Sequence, residues 1–328
     1  MSGSLENVNP LLQIDMGFRS YLNAYTRSFQ NHVVGGQLDY AFESDFAVRQ
    51  KIIGLSGWGR LAKAVNTTDI SAEAKHLFMK CDQAGALKYP EIYEIVKKCA
   101  ERLELNLPIV FIRTDIEKPL VYSIASDLID PCIVLSEWTV KTCSPDELTL
   151  LIGCECGRIQ NNHSVFNWAF TYLNYNRNVY LPVERSYKSA VNNQLVCSLV
   201  EWVRYADVTA DRAGMICLDE PGRYCEIICS LYRKGFVDFY GRGSDSLNAA
   251  KLSGITEGYS SQQARAIRSD ASLSDLEKRI LAAAEFLNCE ALFEWRRDIG
   301  KAEKSVYTTQ NCDVRVTMIL GTGGQFNG

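Results

Sequence analysis

Long apolar runs are missing from this chain. No stretch reaches the ~18 uninterrupted apolar residues that make a membrane-spanning helix; the most apolar segments, Val165 to Leu173 and Leu195 to Val203, are shorter and broken by polar groups. A membrane span is therefore not expected. Lysine and arginine form no cluster, acidic and basic residues are interspersed, and the net charge is -4, which argues against nucleic acid as a partner. The first ten residues, Met1 to Pro10, hold no basic segment followed by an apolar core. The expectation is accordingly no secretory leader and a soluble, cytoplasmic protein. Internal repeats and heptad arrays are also lacking, which excludes solenoids and coiled coils. What remains is ordinary globular composition, 47% hydrophobic and 23% charged over 328 residues, enough chain to bury a substantial core.

Cysteine is plentiful by contrast. Twelve are spread over the chain, mostly inside apolar segments. In a reducing compartment they read as small core residues rather than a disulfide framework. Cys225 and Cys229 have helical spacing, but no second Cys/His pair accompanies them at zinc-ribbon spacing, so packing on a helix face is their expected role.

The first hundred residues read as mainly helical. A break at Val33-Val34-Gly35-Gly36 precedes a helix over Asp45 to Gly54, a second break runs to Gly59, and the Asp69-Ile-Ser71 start signal opens a helix through Ala84. Pro90 fits the first turn of another helix, in which Ile92, Ile95, Val96, Cys99 and Leu103 recur at helical spacing. Leu107 to Arg113, Leu120 to Ala125 and Cys132 to Ser136 then read as three strands of a small mixed or antiparallel sheet. Ser144, Pro145 and Glu147 make a capping box with proline at the first helical position, marking the start of a helix that runs through Arg158. The aromatic spacing Phe166, Trp168, Phe170, Tyr172 points to helix packing. A loop around Leu181 to Glu184 leads to a long helix over Ser186 to Leu218, stopped by Asp219-Glu-Pro-Gly222. Helices over Tyr224 to Gly235 and Leu273 to Asp298 flank a Gly/Ser-rich segment from Gly241 to Gly258. In the tail, Val314 to Leu320 reads as a strand, followed by a flexible end at Gly321 to Gly324.

Four segments carry a family likeness: Pro131 to Ser136; Glu147 through His163, containing Cys154-Glu155-Cys156-Gly157-Arg158; Asp207-x-Thr-Ala-Asp-Arg-Ala-Gly214; and Glu277 to Trp295, with its Arg-Ile pair and aromatic-x-x-Trp spacing. Together they resemble the HtpX and CAAX prenyl protease family of zinc metallopeptidases in its soluble form. The likeness implies an α+β fold, a mostly helical zincin-like (gluzincin) metallopeptidase with a small mixed β-sheet. It also implies a division into an N-terminal helical region, 1–84, packed on the core, a metallopeptidase-like domain, 85–298, and a tail, 299–328.

The family's zinc helix carries two histidines one turn apart with a general-base glutamate between them. Here the matching positions hold Cys154 and Arg158 around Glu155, and the third ligand position, a glutamate in the family, is Asp207. All three ligand positions are substituted, whereas Glu155, Asp211 as a supporting acid, and His163 as a hydrogen-bonding histidine are kept. A guanidinium cannot bind a cation. Arg158 is expected instead to bridge Glu155 and Asp207. Cys156 lies two residues on from Cys154, on a different helix face, and is expected in the core.

The resemblance then implies a pseudopeptidase that binds a protein or peptide segment, as a scaffold or regulatory subunit or as part of a multi-subunit assembly, with no cofactor expected. The substrate groove of such a fold lies between the strand over Leu120 to Ala125 and the active-site helix, and main-chain pairing there requires no metal. The alternative is an active zinc endopeptidase with an atypical Cys154/Asp207 site and Glu155 as base. A third is a subunit whose former cleft is plugged in an assembly.

Overall fold

The structure, a computed structural model, describes residues 32–126, 129–176, 187–236, 275–300 and 306–321. The interval 181–184, the Gly/Ser-rich segment 241–258 and residues 322–324, all assigned above from sequence, lie outside them. The chain divides into two compact units, Met1–Asp39 and Tyr40–Gly328.

The described part of the first unit is a hairpin of β1 (Val33–Val34) and β2 (Gln37–Leu38). Gly35 and Gly36 both sit at positive φ, 62° and 87°. That conformation matches the twist of the flanking strands and strains any residue with a Cβ. A 2.7 Å contact between His32 Nδ1 and Asp39 Oδ2 closes the hairpin's open end.

In the second unit, α1 (Glu43–Ile53), α2 (Trp58–Val65) and α3 (Ser71–Lys80) precede a short strand, β3 (Asp82–Gln83). The segment expected to stay helical through Ala84 thus stops at Lys80. The chain turns extended at Cys81, and β3 pairs antiparallel with the next strand, so sheet pairing takes the backbone groups the helix would have used. Helix α2 starts at the end of the break read over Gly54 to Gly59 and occupies a stretch to which the sequence reading assigned no element. Its Trp58 stacks on Phe166 with ring centroids 4.5 Å apart, a tertiary contact local spacing does not announce.

After α4 (Pro90–Arg102) come β4 (Ile109–Arg113), β5 (Val121–Ser126) and β6 (Ile129–Ser136). The sheet order is β3-β4-β6-β5. The β4–β6 pair is parallel and the others antiparallel, so the sheet is mixed. Central β6 buries Cys132 to Leu135 completely, as expected for a strand covered on both faces. Strand β5 is an edge.

Ser136 caps the short helix α5 (Glu137–Thr142), and Ser144 caps α6 (Pro145–Gln160). There Ser144 Oγ accepts from Glu147 N at 3.3 Å while Glu147 Oε2 accepts from Ser144 N at 2.6 Å, the reciprocal box read from sequence. Helices α7 (Ser164–Asn176) and α8 (Tyr187–Cys217) follow, with α8 packed along α6. Their approach is glycine-dependent: a Cβ on Gly157 would lie 2.3 Å from Ala213 Cβ, and one on Gly214 would lie 2.6 Å from Leu150 Cδ1. Both are shorter than carbon contacts allow, so the two backbones meet where nothing larger than hydrogen fits.

Helix α9 (Tyr224–Arg233) and then α10 (Asp275–Phe286) and α11 (Glu290–Trp295) complete the core. The single helix expected over Leu273 to Asp298 is broken between the last two. Asn288 and Glu290 pair there with Tyr307: Tyr307 N donates to Asn288 O at 2.7 Å, and Glu290 N donates to Tyr307 O at 2.8 Å. The tail strand expected over Val314 to Leu320 is a helix instead, α12 (Thr309–Leu320). Thr308 caps it by accepting from Asn311 N, and Cys312, Val316 and Ile319 are buried at helical spacing. Cap and period outweigh the β-branched composition. Among the described residues no helix is long and apolar enough to cross a membrane.

Candidate functional site

Helix α6 presents Cys154, Glu155 and Arg158 toward α8, which presents Asp207 and Asp211, each set spaced by about one helical turn. Arg158 Nη2 donates to Asp207 Oδ1 at 2.6 Å, and its Nε lies 3.4 Å from Glu155 Oε1. The guanidinium therefore stands between the two carboxylates, in the arrangement the sequence reading described. All three side chains are buried.

A second arginine extends the cluster. Arg279 of α10 grips Asp211 with two hydrogen bonds, Nε to Oδ2 at 2.8 Å and Nη2 to Oδ1 at 2.6 Å, and its Nη1 is 4.0 Å from Asp207 Oδ2. Charges alternate along Glu155, Arg158, Asp207, Arg279 and Asp211. Cys154 Sγ sits at 4.0 Å from Asp211 Oδ1 at the far end. Sequence reasoning noted the Arg-Ile pair of α10 but gave Arg279 no role, because its partner is 68 residues away.

Burial governs the protonation of this cluster. It raises the pKa of Glu155, with Asp207 beside it adding to the effect and Arg158 opposing it. It raises Asp211 too, against the pull of Arg279. Desolvation and the neighbouring Asp211 hold the Cys154 thiol far above its ordinary value, so it stays a neutral thiol. Burial works against the charge on Arg158, but Asp207 and Glu155 outweigh it and the guanidinium stays charged.

His163 belongs to a different network. Its Nε2 lies 2.9 Å from Asp45 Oδ2, and its ring meets Trp202 edge-on at 5.4 Å. Asp45 also accepts from Trp202 Nε1 at 2.7 Å, Thr209 Oγ1 at 2.7 Å and Arg49 Nε at 3.0 Å. Burial acts to raise the Asp45 pKa, but His163, Arg49 and Thr209 overcome it and hold the carboxyl well below the usual range. Burial lowers the His163 pKa, with Asp45 only partly opposing, so the imidazole is neutral near pH 7. The histidine ties the end of α6 to α1 and α8, at a distance from the arginine cluster. Asp45 had no sequence signal beyond its place in the first turn of a helix.

Glu155, Arg158 and Asp207 form part of the lining of a cavity of about 470 Å³. Tyr122 and Ser123 of edge strand β5 line it on one side, and Trp168 of α7 on another, with the Tyr122 and Trp168 ring centroids 6.2 Å apart. Among the described residues no strand pairs with the outer edge of β5, and at its end Ala125 N donates to Ser164 Oγ. Cys156 is fully buried and does not line the cavity, and Cys229 is buried on a face of α9.

Compared with protein-family models, curated proteins and solved structures, the chain gives no significant match. The chemistry of the site rests on the residues alone. They do not fit a zinc ion: position 158 presents a fixed positive charge whose hydrogen bond occupies Asp207. Among the described residues no three His, Cys, Asp or Glu side chains converge in a way that would hold a metal.

Proposed function

We propose that this chain is a pseudopeptidase of the zincin-like type that binds extended protein segments, with an arginine–carboxylate cluster where a zinc peptidase holds its metal. The observation carrying the reading is Arg158, whose guanidinium bridges Asp207 and Glu155 in the lining of a cavity bordered by a strand edge that no strand pairs with among the described residues. An unpaired edge beside a pocket is the arrangement used in β-augmentation: main-chain hydrogen bonds supply affinity, and alternate side chains reach the pocket.

Metal content of the natively purified protein is the deciding measurement. The expected result is no stoichiometric zinc in the unmodified chain, with binding gained when Cys154→His, Arg158→His and Asp207→Glu are combined. Stoichiometric zinc in the unmodified protein, with peptide cleavage abolished by Glu155→Gln, would overturn the reading in favour of a working peptidase.

A further inference from the structure

Among the described residues the buried cluster is short of one positive charge. Three carboxylates, Glu155, Asp207 and Asp211, face two guanidiniums, Arg158 and Arg279. The shortfall has a location: Asp207 and Asp211 each have an arginine contact at 2.6 Å, whereas the guanidinium contact of Glu155 is at 3.4 Å, to an arginine already committed to Asp207. Glu155 and Asp207 both line the cavity, and Glu155 has Ser123 of β5 beside its carboxyl. Ser123 Oγ is buried in the same wall, beside the Glu155 carboxyl.

The rest of the lining suits a cation with an aliphatic stem. Tyr122, Trp168 and Phe170 supply aromatic surface, and Leu120, Val121 and Val203 supply apolar surface. The other charges at the cavity do not fill the deficit. Arg113 is shared between Glu73 at 3.2 Å and Asp115 at 2.7 Å, and Lys118 is exposed to water. At about 470 Å³ the space lies within the ~300–1,000 Å³ range of ligand pockets and accommodates a long side chain.

We infer that the cavity seats the primary ammonium of a lysine side chain, carried by an extended segment laid along β5, with Glu155 as counter-ion and Ser123 Oγ as a second acceptor. This rests on the segment-binding reading above and adds its specificity. An ammonium has three donors on a compact head, suited to one carboxylate, one hydroxyl and an aromatic face. A guanidinium suits a flat two-pronged acceptor, which Glu155 does not offer while its Oε1 faces Arg158. Strand pairing on β5 would send alternate side chains of the bound segment toward the cavity, so one lysine position is read per segment.

The test uses the full chain and pooled, fluorescently labelled hexapeptides, acetylated and amidated, with lysine, norleucine, arginine or glutamate at the third position and the others randomised. Fluorescence anisotropy is expected to give the lysine pool about tenfold tighter binding than norleucine, a difference of about 1.4 kcal/mol. The preference should vanish in Glu155→Gln, with norleucine binding retained. Should that variant fail to fold, Trp168→Leu carries the test, lowering the lysine preference several-fold by removing an aromatic face. Equal binding of lysine and norleucine, or tighter binding of arginine or glutamate, would overturn the inference and leave the groove standing. No binding by any pool would overturn the segment-binding reading and this inference together.

Discussion

Two buried polar clusters lie along α8, one around Asp45 and the other around Arg158, and they are built on opposite principles. Asp45 is a single carboxylate surrounded by contacts from His163, Trp202, Thr209 and Arg49, wholly inaccessible, with its pKa held low. Among the described residues the Arg158 cluster has more carboxylates than guanidiniums; it opens onto a cavity, and burial holds the pKa of Glu155 up. A sealed network centred on a well-bonded carboxylate stabilises the fold it joins. An open network with an unsatisfied charge costs stability and is kept for another reason.

Breaking the sealed cluster should have the largest effect. Asp45→Ala strips the acceptor from Arg49, Trp202 and Thr209 together, and urea denaturation should show a loss of about 4 kcal/mol. In the open cluster, Arg158→Met leaves Glu155 buried without its guanidinium contact and Asp207 with only the 4.0 Å contact from Arg279, and should cost about 3 kcal/mol. Adding Asp207→Leu to that variant should recover most of the loss, because an apolar pair of similar volume replaces the ion pair. The corresponding double replacement Asp45→Leu with His163→Phe should not recover, since Arg49 Nε, Trp202 Nε1 and Thr209 Oγ1 all lose the carboxylate they donate to. Equal recovery in both clusters would erase the distinction between them.

Helix contact gives a smaller effect. Gly157→Ala forces a Cβ into Ala213 and should cost about 2 kcal/mol in the same assay, as overpacking does.

The pH dependence sharpens the comparison further. Asp45, with a lowered folded pKa, contributes stability that is present above its unfolded value of about 3.9 and lost as pH falls toward the folded one. Glu155 has a raised folded pKa, so the folded state binds the extra proton and stability declines as pH rises from about 4.3 through the folded value. Glu155→Gln removes that decline. Its melting temperature relative to the unmodified chain should climb by about 2 °C across this window and then level off. A difference that shrinks with rising pH would show that Glu155 is not the desolvated acid of the cluster.

Much of the local structure was legible because its causes are local. Ser144, Pro145 and Glu147 carry the start of α6 in their own side chains, and the spacings 154/155/158 and 207/211 each lay acids and bases on one side of a helix. What escaped depends on chain segments meeting from afar. Arg279 finds Asp211 across 68 residues, Asp45 finds Trp202 across 157, and β3 forms because β4 is there to pair with it. The tail misled for a different reason: Val314, Val316 and Ile319 are β-branched, yet a threonine cap and three buried positions at helical spacing decide the element. Composition spoke for a strand, and position spoke for a helix.

The glycine contacts between α6 and α8 have a consequence for how a ligand would be received. Helices held this closely at Gly157 and Gly214 have little room to slide, so the floor carrying Glu155, Arg158 and Asp207 is a fixed template. Adjustment must come from the opposite wall, β5 and α7. In hydrogen–deuterium exchange, the amides of α6 and α8 around Gly157 and Gly214 should be among the slowest with or without a bound segment, while the amides of β5 gain protection only when one is present.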